Sequence, residues 1–484
     1  MKPFLRKLLI ALGVFALIVG VFLAWVAHGN PSERSVNDTS GTKPLLVEAE
    51  SERIPSMGLA NPVGWAANEA PSAAKGLTVS RFAEGLSHPR TLYSLPNGDV
   101  LVAQTVAPAS TGADGATGFF ARMFKAKVVA TPEIPYAIIL LRDADGDGKA
   151  EARFTLRQEG LASPSGMAWG NGKLYVANHN AVLSFDYKPG DTVLTGDSTK
   201  LMDLPGGGNH WMRNLLLSED GKKLYVAVGS ASNIGEKGMA AEVGRAAIWE
   251  IDLVKGGRRQ YAAGLRNPNG LAWNPSSGEL WTTVNERDQL GPDLVPDYLT
   301  NVPVGAQYGW PWVYWKDLID WRVKEPIPEY LLEYARKPEF ALGAHVAALG
   351  MVFDNGGHRL GADFANGAFI ARHGSWNRKP LSGYDVVFVK FDDHGNPQGL
   401  PLPVLSGFQT GKDYDVHGRP TWVAWDKAGA LLVSDDTAGI VWRVIAPDAQ
   451  PSVRPRPIVA AHLQPQRELN SEANAAFRAD EPGQ

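Results

Sequence analysis

A chain of 484 residues with 52 glycines, 34 prolines and 15 tryptophans has length for a large core, many turns to make and much aromatic packing to place. Its formal net charge of -4 sets aside a nucleic-acid partner, which would want a basic surface, and the absence of cysteine removes any disulfide framework. Helical periodicity fades after the first segment, so the composition reads as one all-β domain rather than several α/β ones.

That first segment is a separate unit. Lys2, Arg6 and Lys7 precede an uninterrupted apolar stretch over residues 8–27. At a helical rise of roughly 1.5 Å per residue it is long enough to cross the hydrocarbon core of a bilayer. A cleaved signal peptide competes with this reading, but Leu23-Ala24-Trp25-Val26-Ala27 makes a poor small-x-small cleavage site. The sequence predicts an N-terminal transmembrane helix within residues 1–29, with the basic flank cytoplasmic and the rest of the chain on the periplasmic side. Residues 30–75 are polar, rich in small residues and without a sustained period, which predicts a linker.

From residue 76 to 447 one degenerate phrase recurs: a Pro/Gly-marked turn, an apolar run, a Gly turn and a second apolar run. It reads GLSHPRTLYSLPNGDVLVAQ from Gly85, GLASPSGMAWGNGKLYVAN from Gly160, HWMRNLLLSEDGKKLYVAVG from His210 and GLRNPNGLAWNPSSGELWTTV from Gly264. Looser copies start at Ala347 and Gly418, and third runs such as AVLSFDY, AAIWEIDL, YDVVFVKF and GIVWRVI follow several of them. Units of this size cannot bury an apolar face alone, and stacking six radially predicts a six-bladed β-propeller. The tail, residues 448–484, is expected to be loose or to wrap the outside. In a propeller, loops from all blades converge at one face, so the polar residues that depart from the repeat are the candidates. They are His210, Arg213, Arg266, Asn267, residues 285–297, His345 and residues 373–378.

LRDADGDGKAE at Leu141, NHWMRN at Asn209, GLRNPNGLAW at Gly264, VNERDQLGPDLVPDYL at Val284, QYGWPW at Gln307, HGSWNRKPLSGY at His373 and GRPTWVAWD at Gly418 together resemble the glucose/sorbosone dehydrogenase family, over about residues 81–444. Membrane-anchored sorbosone-dehydrogenase-like members are the nearest look-alikes. The resemblance implies a six-bladed quinoprotein that uses pyrroloquinoline quinone (PQQ) and calcium. It implies His210 as the general base that takes the proton of a sugar hydroxyl, and Arg266 with Asn267 beside the hydride-accepting carbonyl. Arg213, His373, Trp376 and Arg378 join the cofactor-binding set, Trp376 by stacking and Arg378 by pairing with a carboxylate, with Arg372 and Lys379 as lesser candidates. Gly291, Pro292 and Asp297 are the implied cation ligands, in a loop made acidic by Glu286, Asp288 and Asp293.

Asp143, Asp145 and Asp147 copy the first half of a calcium loop, but Phe154 stands at the twelfth position and no amphipathic helices flank it. With Glu151 it is either a rim cation site or an Asp-Gly turn, placed in an insertion after the first blade. The expected reaction is oxidation of an aldose or sorbosone-like sugar, with electrons leaving to a respiratory quinone or cytochrome. A non-catalytic carbohydrate- or protein-binding propeller and a calcium-dependent lactonase remain the alternatives.

Overall fold

The computed structural model describes residues 29–52, 58–108, 136–411 and 414–458, and parts of 7–21. Each repeated phrase is the inner half of one blade. The first blade runs Pro89–Ser94, Val100–Gln104, Ala137–Arg142, Ala152–Arg157, the second Gly166–Gly170, Lys173–Ala177, Ala181–Asp186, Thr199–Asp203, and the third Arg213–Leu217, Lys223–Val228, Ala247–Asp252, Arg258–Ala263. The fourth has Pro268–Trp273, Leu280–Val284, Pro296–Asn301 and Phe340–Ala344, and the fifth Ala348–Phe353, Gly367–Arg372, Asp385–Phe391 and Pro397–Ser406. In the sixth, Pro420–Trp425, Leu431–Asp435 and Ile440–Ile445 are joined by Thr78–Ala83, so the start of the domain supplies the last outer strand. First strands of neighbouring blades touch all the way round, and the sixth touches the first, closing the ring.

Closure explains the strand sequences. Every blade is covered on both faces, so its strands read as apolar runs while alternate residues serve two different interfaces. Leu101 and Ala103 pack against the second blade, whereas Val100 and Val102 pack against the sixth. The buried apolar residues sort in this way into six clusters, one between each pair of adjacent blades.

Near the axis, first strands approach too closely for side chains. A Cβ on Gly270 would stand 2.5 Å from the Leu349 carbonyl oxygen, and one on Gly350 2.6 Å from the Trp422 Cα. Hydroxyls stitch the same junctions. Thr283 Oγ1 accepts from Gly270 N at 3.0 Å and donates to Leu349 O at 2.6 Å. Ser434 Oγ does the equivalent between Trp422 N and Arg90 O, at 3.0 and 3.2 Å.

Three expectations change. Residues 30–75 are not a free linker: Ser40–Gly41 pairs as a fifth strand on the fourth blade, Ser72–Ala73 as a fifth strand on the fifth, and Asn61–Pro62 pairs with Asp415–Val416. The Asp143–Glu151 loop lies within the first blade, between its third and fourth strands, and not after it. Among the described residues no helix is long and apolar enough to cross a membrane. Residues 8, 9, 11, 19 and 22–27 of the expected anchor lie outside those described. The tail does wrap the outside as far as it is described, with Ser452 N donating to His358 O and Ile458 N to Ser276 O.

Candidate functional site

Antiparallel pairing brings two sets of loops to one end of the ring: those entering the first strands and those joining second to third strands. His210, Arg213, Arg266, Asn267, His345 and Arg419 belong to the first set. Ser230, Asn233, residues 285–295, residues 373–384 and Asp436 belong to the second. The Asp143 loop joins a third strand to a fourth and therefore sits at the opposite end. It holds the group of carboxylates close enough to share a cation among the described residues, Asp143, Asp145, Asp147 and Glu151.

His210 is fixed by its ring nitrogen. Nδ1 lies 3.0 Å from the Ser230 carbonyl oxygen and 2.9 Å from Ser230 Oγ. A carbonyl only accepts, and the Ser230 hydroxyl proton goes to Ser232 O at 2.7 Å. Nδ1 therefore carries the hydrogen and Nε2 the lone pair. Burial, and next the charge of Arg266, hold the imidazole pKa well below its usual value, so it is a neutral base at pH 7. The backbone N–H of Ser230 donates in turn to Arg266 O at 2.8 Å, which ties base and arginine to one residue. Gly229 permits the approach: a Cβ there would stand 2.3 Å from Asn267 Oδ1 and 2.6 Å from His210 Cβ.

The Arg266 guanidinium is buried and held on every nitrogen. Nε donates to Asn233 O at 3.2 Å, Nη1 to Glu286 O at 2.6 Å, and Nη2 to Asn233 Oδ1 and Asp288 Oδ2, both at 2.9 Å. Burial alone would raise the Asp288 pKa, but Arg266 and His345 bring it down to about 2. His345 Nδ1 stands 3.5 Å from Asp288 Oδ1, and that contact lifts its pKa above the usual histidine value against the effect of burial. Asn267 reaches Asn285 Oδ1 at 3.3 Å.

A second cluster faces the same end. His373 Nε2 lies 3.0 Å from Asp436 Oδ2, and Arg90 pairs with the same carboxylate oxygen. Arg90 also stands 5.8 Å from the Trp211 ring, and its Nε lies 3.3 Å from Met212 Sδ, so the loop carrying His210 reaches across to it. Arg419 donates to His373 O at 3.2 Å and Gly374 O at 3.1 Å. Burial, then Arg419, pushes the His373 pKa down to about 3. Both imidazoles are thus kept neutral partly by arginines, the signature of a local field that favours an anion.

PQQ carries three carboxylates, and this donor set fits it. Arg90, Arg266 and Arg419 lie at the same end of the ring as neutral His210 and His373, and Asn209 and Asn377, in the loops that carry the two histidines, have buried side-chain atoms without a hydrogen-bond partner among the described residues. Arg90, Arg419, Asp436, Asn233 and Ser230 were not singled out from sequence. Arg90 and Arg419 do carry a signal, since HPR, LRNP and GRP each set an arginine within two residues of the proline that opens a first strand.

Other candidate residues are placed as follows. Arg213 is fully buried and donates to the carbonyls of His210, Met212 and Pro205, so it shapes the loop of the base. Arg378 Nη2 donates to Ser32 Oγ, Arg34 O and Asp293 Oδ1, at 2.7, 2.6 and 3.1 Å, and its Nη1 donates to Pro380 O at 3.1 Å. Arg372 forms a two-pronged pair with Asp385. Trp376 is half-buried, with its carbonyl accepting from Gly58 N.

The implied calcium ligands do not form a cation cage. The Gly291 carbonyl faces His345 Nε2 at 3.1 Å, and both Asp297 oxygens accept backbone N–H groups, from Glu286 at 2.8 Å and Ala347 at 2.7 Å. Burial raises the Asp297 pKa to about 7. No catalytic step is therefore assigned to Gly291, Pro292 or Asp297.

Comparison with known proteins agrees with the geometry. The TrAA12-like family model matches residues 138–301 and 332–447, and the Glucose / Sorbosone dehydrogenase model matches residues 252–371. A PQQ-dependent pyranose dehydrogenase of Coprinopsis cinerea is 26% identical over 340 residues, covering 58% of this chain and 46% of that protein. An uncharacterized protein of Borreliella burgdorferi is 28% identical over 236 residues, covering 49% of this chain and 60% of that one. The chain thus spans about half the length of these curated relatives. Among solved structures, a Trichoderma reesei enzyme of Carbohydrate-Active Enzymes Family AA12 superposes with TM-score 0.61 at 20% identity, over 78% of this chain and 97% of the other. The PQQ domain of the Coprinopsis cinerea pyranose dehydrogenase gives 0.60 at 20% identity, over 80% and 100%. On these matches the chain belongs to the TrAA12-like family and to the wider group of glucose/sorbosone dehydrogenase quinoprotein propellers.

Proposed function

We propose that this protein oxidises an aldose or sorbosone-like sugar at its anomeric or carbonyl carbon, using PQQ, with His210 as general base and Arg266 as the charge-stabilising group. The quinone, when bound, supplies the acceptor for a hydride. His210 offers the Nε2 lone pair to the sugar hydroxyl, and its Nδ1–H, already bonded to Ser230, keeps the ring from turning. Arg266 brings a positive charge whose fork is held before reaction, so negative charge developing beside it needs no reorganisation. Arg90, Arg419 and His373 would hold the carboxylates of the cofactor.

One observation carries the reading: a half-buried imidazole kept neutral and a buried arginine share Ser230, on the face where a second basic cluster gathers. The same proposal places the domain on the periplasmic side of a membrane and passes its electrons to a respiratory quinone or cytochrome. The exposed apolar residues Ile10, Leu12, Phe15, Leu17 and Ile18 support the anchored arrangement.

The test is reconstitution of the full chain with PQQ, with and without calcium, followed by dye reduction with several aldoses and identification of the product. His210→Ala should lower turnover by roughly 10²–10⁴-fold while cofactor uptake persists. Unchanged turnover removes His210 from the role of base. Lactone opening with calcium alone would mark a hydrolase, and sugar affinity without turnover a binding module.

A further inference from the structure

We infer that residues 230–242 act as one positioning element that fixes the base and the arginine of the site relative to each other, with Asn233 as its central residue. The inference rests on the function proposed for the site and assigns roles to Asn233 and Glu242, which the proposed reaction does not use.

Asn233 has each of its polar groups committed. Its Oδ1 accepts from Arg266 Nη2 and from Asp288 N, both at 2.9 Å, and Nδ2 donates to Asp288 O at 3.0 Å. The Asn233 carbonyl accepts from Arg266 Nε at 3.2 Å and from Trp310 Nε1 at 2.9 Å. One side chain thereby sets both the plane of the guanidinium and the position of its counter-ion. Three residues earlier, Ser230 sets the tautomer of His210. Three residues of chain reach at most about 10 Å, so base and arginine are held to a short, fixed separation.

The two residues between them are clamped by Glu242, which is 6% exposed in the single-turn segment Met239–Glu242. Its Oε2 accepts from Ala231 N at 2.7 Å, and its Oε1 accepts from the Ser232 hydroxyl. Ser232 Oγ also accepts from Gly235 N at 3.0 Å, and Ser232 O from Ser230 Oγ at 2.7 Å. Glu242 touches neither His210 nor Arg266 through any hydrogen bond among the described residues, so it acts through the loop as a positioning residue.

The experiment uses the full chain and two independent readouts. In the cofactor-free protein, histidine-labelled NMR follows the His210 ring, assigned by its loss in His210→Gln. Glu242→Ala and Asn233→Ala should shift that resonance, and Glu242→Gln, which keeps an acceptor for Ala231 N and a partner for Ser232, should leave it in place. In the PQQ-loaded protein, Asn233→Ala and Glu242→Ala should lower kcat by about 10–100-fold with KM changed less than about threefold, and Glu242→Gln should restore most of the loss. If Glu242→Ala does not fold, Ser232→Ala removes the same link and carries the same expectation. An unmoved His210 resonance in Glu242→Ala and Asn233→Ala, or equal kcat losses in Glu242→Gln and Glu242→Ala, overturns the inference. A wild type that neither binds PQQ nor reduces dye would sink the functional reading alone, because the NMR readout needs no cofactor.

Discussion

Replacing Asp288 by asparagine keeps the shape of the side chain and removes the charge that Arg266 and His345 share. In the folded protein Arg266 and His345 hold the Asp288 pKa at about 2, against 3.8 for a free aspartate. At 1.36 kcal/mol per unit, the charged form contributes about 2–3 kcal/mol of stability at pH 7. A folded pKa below the unfolded one means that this contribution is complete above about pH 4 and declines as pH falls toward 2, with about half remaining near pH 3. Thermal unfolding of the cofactor-free wild type and Asp288→Asn, followed by circular dichroism, should show the variant melting a few degrees lower at pH 7, with the gap narrowing at pH 3. Equal melting temperatures at pH 7, or a gap that widens on acidification, would refute the claim that Asp288 is the working counter-ion of Arg266.

Other perturbations read other parts of the molecule. Because burial and Arg266 keep His210 neutral well below its usual pKa, the acid limb of kcat/KM should lie below the ordinary histidine value of 6.5, and a limb at 6.5 or above would argue against His210 as the base. Gly229→Ala places a methyl group against Asn267 and His210, and should lower kcat by roughly 10²-fold with the fold intact by circular dichroism. Trp442→Ala, in the interface of the fifth and sixth blades, should cost about 3–5 kcal/mol in denaturant unfolding, where a loss under 1 kcal/mol would contradict its place in that cluster. Asp145→Asn, on the opposite end of the ring, should leave dye reduction within about twofold, and a large loss would mean the two ends communicate.

The parts of the fold that were legible in the sequence are those with two-sided burial. Inner and second strands such as Val100–Gln104 and Leu431–Asp435 are apolar on both faces, and the glycines of PSG, PNG and ALG mark where neighbouring first strands nearly touch. Outer strands were harder to see, since Thr199–Asp203 and Arg258–Ala263 expose half or more of their residues and lose the apolar run. Closure by Thr78–Ala83 joins strands more than 350 residues apart, and pairs as short as Ser40–Gly41 carry no pattern at all. In the site, His210 and Arg266 stood out because they interrupt a repeat. Asn233, Ser230 and Asp436 matter only through neighbours brought by other loops, and the fate of Arg378 was decided by Ser32 and Asp293, far away in sequence.

The central claim is that one end of the ring gathers arginines and neutral imidazoles around a planar anionic quinone. Equilibrium titration of PQQ into the full chain, read by quinone absorbance, measures this directly. Saturable one-to-one binding, weakened at least tenfold in both Arg266→Ala and Arg90→Ala, is the predicted result. Absence of saturable binding, or binding indifferent to both substitutions, would contradict it.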